Sequence, residues 1–252
     1  MERIALIDRK TVTAAFADYV SAYNADDPKI RLKIDHTYRV AELCERIAAA
    51  AGADADLAWL CGMLHDIGRF EQIRRYHTFS DADSVDHAKL GADLLFHEGL
   101  LARFCPGLPE AQARILERSI RSHSAYRLDS GLTETETRYC TVLRDADKID
   151  IFRVNCDTPP EEIYNVTTQA LKSAAVSEPV RACFRQRTAV LRRLKSTPAD
   201  YIVAHLCLVF ELVYPVSRAI AREQGYVDRL LAFSSDNPDT QAWFAYMREH
   251  LW

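Results

Sequence analysis

Four histidines and two aspartates stand where helical spacing turns them all toward apolar neighbours. His65 and Asp66 lie in Met63-Leu64-His65-Asp66-Ile67-Gly68-Arg69, at the end of an apolar stretch and just before a glycine. His36 shares a face with Val40, Leu43 and Ile47, and His87 shares one with Leu90, Gly91 and Leu94. His123 aligns with Leu116 and Ile120, and Asp147 aligns with Tyr139 and Leu143. A lone inward histidine is more often a core residue with one hydrogen bond, and an H-D dipeptide is common by chance. An inward aspartate is harder to place, because a buried carboxylate needs a charge partner or a metal. Left unpaired, the six together carry a heavy desolvation cost, which a bound cation removes for all of them. The set predicts a metal centre.

The elements that must carry these residues read as helices almost everywhere. The pattern predicts helices over residues 10–23 and 36–51, with Gly52 stopping the second. The next is expected from Asp54 to Ile67, with Gly68 at its end. Residues 70–82 are polar and aromatic and read as a loop flanking a site. Asp83 or Ser84 is placed to cap a helix reaching Glu98. Pro109 suits the first turn of a helix to about Ser124. Thr133 and Glu136 form a capping box for a helix to about Phe152. Further helices are expected near 160–175, 179–195, 199–224 and 238–250. No strand-like alternation persists, and no repeat or composition break appears. The expected fold is all-α, a single-domain helical bundle of about ten helices spanning 1–252, with 156–252 as a C-terminal extension packed on the core.

Composition sets limits on partners. The chain has 252 residues, 48% of them hydrophobic, with Gly 8 and Pro 9, which suits a soluble globular protein and disfavours a turn-rich all-β fold. Lys and Arg number 32 against 36 Asp and Glu, a net charge of −4. That balance gives no global attraction to nucleic acid or to an anionic membrane, and leaves room for a local basic pocket. The seven cysteines form no C-x-x-C pair and read as reduced thiols of a cytoplasmic protein. Met1–Lys10 is charged and lacks the apolar core of a signal peptide. The most apolar stretch, Tyr201–Ile220, contains His205, Glu211, Pro215 and Arg218, so it reads as a buried helix kinked or ended near Pro215.

His36, then His65-Asp66, then Asp147 within Arg144-Asp145-Ala146-Asp147-Lys148 resembles the H…HD…D pattern of the HD superfamily of metal-dependent phosphohydrolases. His65-Asp66-Ile67-Gly68 is similar to the H-D-I-G form of many members, and the resemblance covers roughly residues 30–155. His87 and His123 resemble the two extra histidines of two-metal members such as the HD-GYP phosphodiesterases. No G-Y-P element follows His123, where Ser124-Ala125-Tyr126-Arg127 stands, and Arg69 stands where many members carry Lys. Both departures argue against cyclic-di-GMP hydrolysis.

The resemblance implies a helical bundle and a ligand set. His36, His65, Asp66 and Asp147 would hold one metal, and His87 and His123 would join a bridging Asp66 on a second. Nitrogen-rich ligation favours transition metals, so one or two divalent ions are expected, Fe or Mn first, with Zn, Ni, Co or Mg compatible. Asp66, Arg69 and Lys148 are the expected catalytic residues. Arg69, Arg74, Arg75 and Lys148 are the expected substrate contacts, with Arg74 and Arg75 in the polar loop. Asp81 and Asp83 read as turn and cap residues. The expected activity is hydrolysis of a small phosphate ester, a nucleotide or a related phosphomonoester or phosphodiester, by metal-activated water. A homodimer is compatible with the chain. Two alternatives stand beside this reading: a di-iron oxygenase similar to myo-inositol oxygenase, and a non-catalytic metal- or nucleotide-binding module.

Overall fold

Asp8 opens the first helix by accepting the N–H of Lys10 at 3.0 Å, and α1 follows as Arg9–Val20. Asp27 caps the next in the same way, with Pro28 at the first helical position, and α2 runs Pro28–Ala51. It therefore starts a full two turns before the expected residue 36. Gly52 ends it in the left-handed conformation, φ 65°. The computed structural model describes residues 7–252, so part of Met1–Lys10, and the reading made of it, lies outside the described residues. No strand occurs among them, and ten helices are eight residues or longer.

The chain divides into two compact units, one ending at Asp147 and the other running Lys148–Trp252. The first continues with α3 (Ala55–Leu64), α4 (Ile67–Tyr76), α5 (His87–Ala92), a π-helical turn (Asp93–His97), α6 (Leu101–Phe104) and α7 (Glu110–Ser122). The last long helix, α8 (Glu134–Asp157), begins in this unit and crosses the boundary. Thr133 and Glu136 form the expected capping box, with the Thr133 N–H donating to Oε2 of Glu136 at 2.8 Å and the Glu136 N–H donating to Oγ1 of Thr133 at 3.2 Å. Phe16, Val40, Ile47, Leu60, Leu64, Phe70, Leu116 and Leu143 are fully buried and form the core.

Two glycines set how closely these helices approach. A Cβ on Gly62 would lie 2.5 Å from Cα of Ala41, so α3 presses backbone to backbone on α2. A Cβ on Gly68 would lie 2.3 Å from the His87 carbonyl oxygen and 2.6 Å from the Gly91 nitrogen. Gly68 was expected to end a helix. It sits instead in the first turn of α4, where its missing side chain admits α5.

The expected loop over 70–82 is also corrected. Ile67, Phe70 and Ile73 keep the helix period and are buried, so α4 continues to Tyr76 despite its polar outer face. His77 then ends it in the left-handed conformation. The cap of α5 is Asp86, which accepts the N–H groups of Ala88 and Lys89, rather than Asp83 or Ser84. Pro109 is the residue before α7 and not within its first turn.

The second unit holds α9 (Pro160–Tyr164), α10 (Thr168–Ser173), α11 (Glu178–Arg185), α12 (Pro198–Leu206), α13 (Pro215–Gln224), α14 (Tyr226–Leu231) and α15 (Pro238–His250). The two longest stretches expected here break into shorter pieces. Residues 199–224 split at a 3₁₀ turn (Cys207–Glu211), and α13 restarts at Pro215, which cannot donate to a preceding turn. The buried Asp200 is satisfied locally, accepting backbone N–H groups from Ser177, Ser196 and Thr197. No helix among the described residues is long and apolar enough to cross a membrane. All seven cysteines are free, and five of them are buried.

Candidate metal centre

The six expected ligands come from four helices and one interhelical break and meet at one place. His36 projects from the middle of α2. His65 and Asp66 occupy the two-residue break between α3 and α4, where Asp66 makes no capping bond and its carboxylate is left to face inward. His87 opens α5, His123 closes α7, and Asp147 lies on α8. The close approach at Gly68 brings the start of α5 against the His65-Asp66 break.

The histidines form a chain of edge-to-face rings. His36 and His65 have centroids 5.2 Å apart, His65 and His123 5.1 Å, and His87 and His123 4.9 Å. A carbonyl only accepts, so Nδ1 of His65 must donate to Gly62 at 2.7 Å and Nδ1 of His123 to Ile120 at 2.7 Å. Nδ1 of His87 donates to the Asp81 carboxylate at 2.8 Å. In each neutral ring Nε2 is then a bare lone pair aimed into the site. Nε2 of His87 lies 3.0 Å from Nε2 of His123, and Nε2 of His65 lies 3.3 Å from that of His36. At the His87–His123 pair, lone pairs that close repel unless they share a proton or a cation, whereas at the other pair the lone pair of His65 faces the His36 nitrogen that bonds Asp147.

Asp66 stands between the two pairs and gives one oxygen to each. Oδ2 is 3.5 Å from Nε2 of His65 and 3.7 Å from Nε2 of His36. Oδ1 is 3.4 Å from Nε2 of His87 and 3.7 Å from Nε2 of His123. Asp147 Oδ1 completes the first group, 3.2 Å from Nε2 of His36. Two sets, His36-His65-Asp147 and His65-Asp66-His123, keep their ligand atoms within 4.8 Å of one another. Bare imidazole nitrogens and ionised carboxylates at this spacing fit a divalent transition metal.

The electrostatics agree with that fit. Burial pushes His65 down to about 3 and His87 down to about 4, so both rings are neutral at pH 7. Burial acts to raise the Asp66 carboxyl, but the Lys33 ammonium beside it reverses the direction and holds it well below the usual range. Burial likewise opposes the ionised form of Asp147, and its bond to His36 outweighs it, so this carboxyl also lies low.

Three residues around the ligands were not singled out from the sequence in these roles. Lys33 Nζ lies 2.7 Å from Oδ2 of Asp66. The only signal was its position one turn before His36 on α2. Asp81, read as a turn residue, orients His87 and accepts from Nη1 of Arg69 at 2.8 Å and Nε2 of Gln72 at 2.9 Å. Arg144 donates from Nη1 to the carbonyls of Ser122, His123 and Ala125, covering the end of α7 that presents His123.

The expected substrate contacts divide. Arg69 reaches the centre, with Nε 3.7 Å from Oδ1 of Asp66. Its Nη1 is held by Gln72, the Phe79 carbonyl and Asp81, while its buried Nε has no hydrogen-bond partner. Lys148 is buried directly after Asp147 on α8. The structure does not bring Arg74 and Arg75 to the centre. Because α4 continues through them, both turn back to Glu71, at 2.5 Å and 2.9 Å.

Residues 34–151 match the family model of the HD domain, and this segment contains all six histidines and aspartates. A crystal structure of a predicted HD superfamily hydrolase from an uncultured Thermotogales bacterium is similar in part, 22% identical over 88% of each chain with a TM-score of 0.43. No curated protein matches the sequence.

Proposed function

We propose that the protein is a metal-dependent phosphohydrolase acting on a small phosphate ester, a nucleotide or a related phosphomonoester or phosphodiester. The observation that carries this reading is the division of Asp66, whose two oxygens face two separate histidine pairs. His36, His65, Asp66 and Asp147 would hold one divalent ion, and His87, His123 and Asp66 a second. A pair of such ions supplies Lewis-acid charge and a hydroxide source near neutral pH.

The chain's own residues have distinct tasks. His65, His87 and His123 each keep Nδ1 occupied so that Nε2 faces the site, and Asp81 fixes this orientation for His87. Asp66 accepts positive charge from both sides and keeps the two halves at one spacing. Arg69, anchored through Nη1, places its guanidinium beside Asp66, where its positive field favours an incoming phosphate. The small net charge supports a compact substrate over a polymer.

The test pairs elemental analysis of protein purified without chelator with a phosphate-release screen over nucleotides and simple phosphate esters. One to two equivalents of transition metal and chelator-sensitive phosphate release are expected. Full activity in metal-free protein would sink the reading, as would turnover that consumes O₂ and releases no phosphate.

A further inference from the structure

Asp66 is flanked by two cations that are held very differently. Arg69 is tied through Nη1 to Gln72, the Phe79 carbonyl and Asp81. Among the described residues Lys33 makes a single hydrogen bond, to Oδ2 of Asp66 at 2.7 Å, and otherwise lies over the Phe79 ring, 5.8 Å from its centroid. Its side chain is 17% exposed where Asp66 is 2% exposed, so Lys33 stands between the buried carboxylate and solvent. Arg69 lies over the same ring, 5.7 Å away.

Oδ2 is also the oxygen turned toward Nε2 of His65 and His36. An ion held by those nitrogens and Oδ2 would bring a second positive charge against the Lys33 ammonium, and like charges that close repel. A lysine head group on a four-carbon stem with one bond is the group able to yield.

We infer that Lys33 is a displaceable counter-cation, neutralising Oδ2 of Asp66 until a metal takes that oxygen, and then donating to an oxyanion of the substrate. The second half rests on the phosphohydrolase reading. Metal binding and readiness for an anionic substrate are thereby coupled through one side chain. In the metal-free protein Lys33 spares Asp66 the cost of a lone buried charge.

The experiment uses the full chain with Lys33→Met, and with Lys33→Gln as a neutral variant that keeps a donor for Asp66 should the first fail to fold. Mn²⁺ affinity is measured by chelator competition, and orthophosphate affinity by calorimetry on Mn²⁺-loaded protein. Removing the competing ammonium is expected to tighten Mn²⁺ binding about tenfold, within the usual range of a coupling between sites. Orthophosphate affinity is expected to fall by about as much, and Lys33→Arg is expected to restore it. Unchanged or weaker Mn²⁺ binding overturns the inference, as does unchanged orthophosphate affinity. A screen with no phosphate release would instead overturn the phosphohydrolase reading and leave both affinities as they are.

Discussion

Nε2 of His87 faces Nε2 of His123 across 3.0 Å, and the other nitrogen of each ring is already engaged as a donor. For His87 that engagement depends on Asp81, which offers both oxygens to Nδ1 at 2.8 and 3.0 Å. Asp81 is in turn held by Arg69 and Gln72. A carboxylate behind a ligating histidine fixes its tautomer and raises its basicity.

Asp81→Ala is therefore expected to weaken the metal equivalent at the His87-His123 pair, by about 10–100-fold, and to spare the one at His36-His65. Titration of metal-free protein with Mn²⁺ would resolve the two. Equal weakening of both equivalents, or of neither, counts against the orienting role.

Asp66 has the opposite expectation, because each of its oxygens faces a different pair. Asp66→Ala should reduce bound metal at both positions, whereas Asp147→Ala should reduce only the His36-His65 equivalent, since Asp147 lies beside those two. Elemental analysis of the two purified variants checks this. Retention of one full equivalent in Asp66→Ala would remove the case for a shared carboxylate.

The clustering of the six candidate ligands was legible in the sequence because each sits on a regular helix or at its end, where spacing alone fixes which way a side chain turns. His36, His87 and His123 each align with apolar neighbours, and that alignment survives folding. Lys33 was not legible. Its partner is 33 residues away, and a lysine among Ile30, Arg31 and Leu32 reads as surface charge. Asp81 was missed because it lies in a loop, where no period says what a carboxylate faces. Gly68 was misread as a helix end because glycine has two uses, stopping a helix and admitting a neighbouring backbone, and only tertiary contact separates them. The same ambiguity placed Arg74 and Arg75 in a loop near substrate, when their helix directs them to Glu71.

Gly68 can be tested against Gly52. At Gly68 an added methyl meets backbone atoms of His87 and Gly91 that cannot give way separately. Gly68→Ala should destabilise by about 1–3 kcal/mol, the usual cost of overpacking. It should also weaken metal binding, because α5 must shift and His87 moves with it. At Gly52 an added methyl meets nothing within 4 Å, and only the left-handed φ of 65° is strained. Gly52→Ala should cost about 1–2 kcal/mol and leave metal affinity unchanged. Denaturant unfolding together with Mn²⁺ titration separates the two. Unchanged metal affinity in Gly68→Ala would show that the contact does not position His87.

The pH dependence of the metal-free protein follows from the buried rings. His65 and His87 are lowered by burial from 6.5 to about 3 and about 4. A histidine lowered in the folded state binds its proton more readily when unfolded, so acid favours unfolding. Its contribution is whole above about pH 6.5 and is lost as the pH falls toward the folded value. One pKa unit corresponds to about 1.4 kcal/mol, so His87 alone accounts for roughly 3 kcal/mol between neutrality and pH 4. Asp66 and Asp147 are lowered from 3.8, and their contribution is lost only below that value. The two kinds of group thus act in successive windows. Denaturant midpoints at pH 7, 6, 5 and 4 should fall steadily, and His87→Asn should remove part of the slope. Stability that is flat from pH 7 to 4 would mean these rings are not held neutral by burial.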